Sequence, residues 1–311
     1  MNNEKNINNE KIIENILSAT VIEQRANRRW GIFFKSVVLS IFIIGIIAIN
    51  IKSDDISSKR AHVAIINIIG PISGENSNNS YNINNNIKKA FSDPSAKAIV
   101  LQMNSPGGSP VESNRIYSEI KRLRGKYKEK KIYAIIGDIC ASGCYYIAAA
   151  VDEIYADKNS LVGSIGAIIS SFGFVDAMKN LGVERRIFTS SKAKSRLDPF
   201  SQITDEDSNS INEILGDIHK NFVSAVKEGR GEKLDYENEK IFSGEIFSGS
   251  KGMELGLIDS IGGLQYVMED VIGLDEKRIY GNKFDGFDKL FKRIVLWNDT
   301  NINSMTGLKL Q

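Results

Sequence analysis

The sequence predicts an α/β domain on a largely parallel sheet, preceded by one membrane-spanning helix. Three observations lead there. Short β-branched runs alternate with amphipathic stretches from Ala61 onward, the pattern of strand–helix–strand crossovers. Small, glycine-containing turns follow two of those runs directly. A long uncharged apolar run stands near the start, with basic residues on one flank only.

The apolar run extends from Ser36 to Ile51 without a charge. Ile32 to Phe34 extend it, with the Lys35 ammonium snorkelling to the interface. The resulting segment, residues 32–51, is long enough for a hydrocarbon core of about 30 Å. Arg25, Arg28, Arg29 and Lys35 lie N-terminal to it or at its edge. The positive-inside rule then puts residues 1–31 in the cytoplasm and everything after Lys52 outside, in the periplasm or its equivalent. The leader is long for a signal peptide, and no small-x-small cleavage site follows, so a retained single-pass anchor of the cytoplasmic membrane is expected. Residues 52–60 read as a polar linker.

The α/β domain is expected over residues 61–278. Val63 to Ile68, Ala98 to Met103 and Ile132 to Ile136 read as buried strands. Further strands are expected near Glu153 to Ala156, Ile165 to Ile169 and Arg185 to Thr189. Ile83, Ile87 and Phe91 recur as on one helix face. Ser109, Pro110 and Glu112 suggest an N-cap, a first-turn proline and a capping box, ahead of an apolar stripe through Ile116, Ile120 and Leu123. A small-residue helix is expected through Ala150 and a long one over Asp205 to Glu228. In the tail, residues 279–311, Phe287, Leu290, Phe291 and Ile294 share the face of an amphipathic helix.

Of the 311 residues, 42% are hydrophobic and 25% charged, ordinary for a chain with a real core. A net charge of +2 gives no support to a general nucleic-acid role. The two cysteines, Cys140 and Cys144, read as small packing residues: two thiols four apart on one helix lack the usual disulfide geometry. No Cys/His cluster surrounds them, so neither a metal nor any other cofactor is expected.

Three segments carry candidate chemistry. Asn104 to Ser109 follows a strand, and Gly107 and Gly108 leave backbone N–H groups uncovered, suited to an oxyanion, a phosphate or simply a tight turn. Asp138 to Tyr146 also follows a strand and places Ser142 at a helix start, as a nucleophile or an N-cap. Gly143 beside it could donate a second N–H. Ser190 to Phe200 is rich in Lys and Arg and holds Lys194. The two histidines, His62 and His219, sit in no motif. That disfavours a Ser-His-Asp triad and leaves a lysine as the candidate base. Such a lysine must be deprotonated, which burial in an apolar site favours.

SPGG (Ser105 to Gly108), ASGCYYIA (Ala141 to Ala148), VGSIGAI (Val162 to Ile168) and SSKAKSRLDPF (Ser190 to Phe200) occur here in that order. In order and spacing they resemble signal peptide peptidase A, a Ser-Lys protease family with a ClpP/crotonase-like fold. The resemblance continues through VSAVKEGRG (Val223 to Gly231) and FSGEIFSGSKGMELGLIDSIGG (Phe242 to Gly263). It implies Ser142 as nucleophile, Lys194 as general base, Gly107 or Gly108 with Gly143 as oxyanion donors, and Ser164 as the residue orienting the lysine. Cys144 and Ser191 depart from it, standing where that family commonly has glycine. It also implies peptide substrates, remnant signal peptides above all, and a homo-oligomeric ring. Rival readings are an acyl-CoA enzyme of the crotonase type, a silent membrane scaffold, and a protease devoted to one membrane protein.

Overall fold

The computed structural model describes residues 28–43 and 60–281. They fall into two units that divide at Lys59 and Arg60. In the first, residues 28–43 form one helix, α1, with every residue exposed. No helix among the described residues is long and apolar enough to cross a membrane. Residues 44–51 of the expected anchor, most of the expected linker and the expected tail helix lie outside the described residues.

In the second unit the chain alternates as expected. Strands β1 (His62–Ile69), β2 (Ala96–Ser105) and β3 (Ile132–Ala141) are joined by helices α2 (Ser80–Ser92) and α3 (Pro110–Lys126). Then come α4 (Gly143–Ala148), β4 (Glu153–Ala156), β5 (Leu161–Gly163), α5 (Val175–Asn180) and the long α6 (Asp205–Arg230). Strand β6 (Ile246–Ser248), α7 (Gly249–Glu254), β7 (Ser260–Ile261), α8 (Leu264–Tyr266) and β8 (Lys277–Ile279) complete the described chain. The sheet runs β6-β5-β3-β2-β1-β8, with β4 on β3 and β7 on β4. Every pairing is parallel except β5 with β6.

Strands covered on both faces must be apolar almost throughout, and β1 is: Ala64, Ile66 and Ile68 enter the larger core, while Val63 and Ile65 enter a smaller core behind the sheet. On α2, Ile83, Ile87 and Phe91 are buried, and on α3 Ile116, Ile120 and Leu123. Ser109 caps α3 ahead of Pro110, accepting the Glu112 N–H at 3.4 Å. The expected capping box does not close, however. Glu112 turns to the next helix and accepts the N–H of Ser80, the first residue of α2, at 2.5 Å. That bond, first among several causes, holds the Glu112 carboxyl below the usual carboxylate range.

The expected strands at Ile165 to Ile169 and Arg185 to Thr189 do not form. Pairing with β3 ends at Gly163, and the chain turns away at Ser164. Beyond it an arm runs to Ile203 with little burial: Ile168 is 86% exposed and Phe188 95%. Helix α6 occupies the expected place but buries residues only from Phe222 onward.

That buried end of α6 is fixed by an ion pair. The Arg230 side chain, 2% exposed, meets Asp259 at 2.8 Å and donates to the Gly256 carbonyl at 2.8 Å. Asp259 also accepts from Lys233 at 2.5 Å and from the Ile154 N–H at 2.7 Å. At the far edge β8 lies beside β1. There the buried His62 ring bonds Tyr280 at 2.9 Å, and Tyr280 donates to Asp93 at 2.5 Å.

Arg230→Ala leaves Asp259 without its buried partner and is expected to cost about 3–5 kcal/mol in denaturant unfolding. Burial alone would raise the Asp259 carboxyl, but the Arg230 bond and charge, Lys233 and the Ile154 N–H outweigh it and hold it below its ordinary value. Its contribution is therefore complete above the ordinary carboxylate range and is lost as pH falls through the depressed value. Urea unfolding measured against pH should show a shallower acid limb for Asp259→Asn.

Candidate active site

Strands β2 and β3 are parallel neighbours, so both end at the same edge of the sheet. Loops at the C-terminal edge of an open α/β sheet are where such folds bind ligands. Two turns meet there: Ser105 to Ser109 leaving β2, and Ser142 leaving β3.

Ser142 has φ 52° and ψ −124°, a conformation costly for any residue with a β-carbon. Its N–H donates to the Gly163 carbonyl at 2.9 Å, and its carbonyl accepts the Tyr146 N–H at 3.0 Å. The strand, sharp turn and short helix together form an elbow that leaves the Ser142 hydroxyl free of any capping bond. Ser164 follows the partner strand in the same way: Ala141 pairs with Gly163, and each is followed by a serine at φ 52°. The Ser164 N–H is held by the Glu245 carbonyl at 2.7 Å.

The glycine turn packs directly against this elbow. A β-carbon on Gly107 would lie 2.7 Å from the Gly143 nitrogen and 2.9 Å from the Ser142 β-carbon. One on Gly143 would lie 2.5 Å from the Ser113 hydroxyl and 3.2 Å from the Gly108 nitrogen. Only glycine fits at either position. The Gly107 N–H is taken by Ser105 Oγ at 3.1 Å. Gly108 lies exposed in the turn, and no backbone bond among the described residues uses its N–H. Gly143 opens α4, where a helix has no internal acceptor for its N–H. Gly108 and Gly143 therefore offer two adjacent donors next to Ser142.

The Ser142 turn opens onto a cavity of about 570 Å³ between α3 and α6, within the range of ligand pockets. Tyr117, Tyr146 and Phe222 form an aromatic wall, with ring centroids 5.3 Å and 4.8 Å apart. Burial pushes the phenols of Tyr117 and Tyr146 up, so both stay neutral donors. Tyr146 donates to Asn114 at 3.1 Å, while Tyr117 lies 3.0 Å from Glu228. No pattern along the chain marks this pocket, because its wall comes from three separate helices.

The fold brings Ser142, Gly107, Gly108, Gly143 and Ser164 to one edge. Among the described residues, Lys194 makes no hydrogen bond to any of them and does not line the Ser142 cavity. Lys194 lies in the 3₁₀ turn Lys192–Ser195 on the exposed arm. Its side chain is exposed and makes no hydrogen bond or ion pair among the described residues. Nearby Arg196 is anchored instead, by Asp207 at 2.8 Å and Ser210 at 2.6 Å.

The reading of Cys140 and Cys144 as mere packing residues is overturned. They form a disulfide, with Cα atoms 5.1 Å apart. Cys140 belongs to strand β3 and only Cys144 to a helix. The turn at Ser142 folds one back on the other, within normal disulfide reach. A cysteine on each side of a strand-to-helix turn was the available signal.

Residues 124–275 match peptidase family S49. The chain is 30% identical over 212 residues to a Synechocystis sp. protein described as a protease, covering 67% of this chain and 74% of that protein. It is 33% identical over 184 residues to an Enterococcus faecium protein described as signal peptide peptidase SppA, covering 59% of this chain and 53% of that one. It is also 42% identical over 187 residues to part of a Brucella abortus protein described as Na(+)/H(+) antiporter NhaA, covering 60% of this chain but 25% of that one. The chain thus spans from a quarter to three quarters of these relatives' lengths. The resemblance read from the motifs is borne out, and the chain belongs to peptidase family S49.

Proposed function

We propose that the chain is a serine peptidase in which Ser142 is the nucleophile and Lys194 the general base. The observation that carries this is the Ser142 elbow: a free hydroxyl beside two uncommitted N–H groups at the mouth of a pocket with an aromatic wall. A neutral Lys194 amine, oriented by Ser164, takes the hydroxyl proton, and Ser142 Oγ attacks the peptide carbonyl. The oxyanion is received by the N–H groups of Gly108 and Gly143. Water activated by the same amine then releases the acyl group.

The aromatic wall suits apolar side chains, in keeping with remnant signal peptides and other short hydrophobic peptides as substrates. The anchor at residues 32–51 would hold the site near such peptides. The Cys140–Cys144 disulfide supports an extracytoplasmic domain, since disulfides persist in oxidising compartments.

Lys194 lies on an arm whose Ile168, Phe172, Leu181 and Phe188 are exposed. Exposed apolar side chains on one arm suit an interaction surface. A second copy covering the arm would desolvate the lysine and bring it to a Ser142 hydroxyl, as a ring assembly requires.

Ser142→Ala and Lys194→Ala are each expected to abolish hydrolysis of a fluorogenic hydrophobic peptide while leaving the thermal unfolding midpoint near that of the unmodified protein. Undiminished turnover in either variant removes that residue from the chemistry. If the dyad is shared between copies, mixing the two inactive variants under exchange conditions restores part of the activity. Gly143→Ala puts a methyl group against Ser113 and the Gly108 nitrogen. It should lower kcat roughly 10²-fold and cost about 1–3 kcal/mol in stability, read by steady-state kinetics and chemical denaturation.

A further inference from the structure

The backbone at Ser142 is expensive to hold. Its positive φ persists only if the surroundings enforce it. One support is the Ser142 N–H bond to Gly163, and another is the Tyr146 N–H bond to the Ser142 carbonyl. Helix α4 spans only six residues, too few to be stable on its own, so its place depends on its buried packing and on what ties it to β3. The β3 side is firm, because Cys140 is paired with Ser105 on β2 and Val162 on β5. The disulfide joins that strand to the short helix. It closes a five-residue loop from Cys140 to Cys144 with Ser142 at its centre, and both cysteines are fully buried.

We propose that the Cys140–Cys144 disulfide is a positioning element for Ser142, holding the hydroxyl in reactive geometry while the domain's stability rests elsewhere. The role builds on the assignment of Ser142 as nucleophile. The cross-link fixes the first turn of α4, and with it the Gly143 N–H, relative to the end of β3. Opening it removes the covalent tie across the strained turn and leaves only hydrogen bonds and packing to hold it, and small displacements at a reacting atom are costly in rate. The Arg230–Asp259 clamp does not pass through the cross-link, and the larger core extends over β1, β2, α2 and α3, well beyond the two cysteines.

The test compares oxidised and reduced full-length chain in detergent. Dithiothreitol supplies two electrons and two protons, closing to its own cyclic disulfide as the Cys140–Cys144 bond opens to two thiols. Thiols are counted by iodoacetamide trapping in denaturant and intact mass. Circular dichroism and thermal unfolding report the fold. The expected result is that the oxidised protein takes no iodoacetamide. The reduced protein stays folded, yet its kcat and its rate of fluorophosphonate labelling at Ser142 fall at least roughly tenfold, with KM changed by less than about twofold. Reoxidation restores both.

Cys140→Ala/Cys144→Ala should behave as the reduced protein, and if it does not fold, the reduction and reoxidation cycle decides. Two free thiols in the air-oxidised protein, or equal labelling rates and kcat in both redox forms, overturn the positioning role alone. Turnover without labelling of Ser142 in either form overturns the nucleophile assignment and this role with it.

Discussion

Ala141 lies opposite Gly163 where β3 meets β5, and the chain leaves the sheet immediately after each of them. The arrangement of the site follows from that register. Ser142 can donate its N–H to Gly163 only because the two strands end level. Had β3 run on by one residue, the serine would have become a ladder position with its side chain committed to a face of the sheet. Ending there turns the hydroxyl outward. The Gly143 N–H is left at a helix start, and the β2 turn settles close enough that a β-carbon on Gly107 would strike the Gly143 nitrogen. The glycines are thus less a flexible loop than a fitted surface, shaped by how near two parallel strands bring their exits.

Much of this was legible in the residues. Apolar runs bounded by turn residues marked β1, β2 and β3, because a strand buried on both faces has no alternative composition. The face of α2 was visible in Ile83, Ile87 and Phe91, and Ser109 with Pro110 marked the start of α3. Ser142 and its glycines stood out once read together. What could not be read depended on distant partners. Glu112 had the spacing to cap its own helix, but the N–H of Ser80 in another helix competes for the same carboxylate and wins. Ile165 to Ile169 has strand-like composition, yet β5 ends at Gly163 and leaves no neighbour for the residues beyond. The cysteines looked like one helix face because the spacing does not reveal that a strand ends between them.

The distribution of burial also separates two duties within one chain. The sheet, α2, α3, α4 and the end of α6 share a continuous apolar interior, tied at α6 by Arg230 and Asp259. The arm from Ser164 to Ile203 and the first half of α6 add almost nothing to it. Such weakly supported segments sit at the low end of local stability in folded proteins. The lysine matched to the catalytic base belongs to that weakly supported part, whereas the serine belongs to the rigid part. Under the proposed mechanism, bringing them together would fall to the proposed contact between copies.

The pairing of β1 with β8 carries a further consequence. The first and last described strands of the domain are neighbours, stitched by His62, Tyr280 and Asp93. As the edge strand, β8 is held by β1 and by the Tyr280 contacts. Any loosening of β1 would therefore release β8 as well.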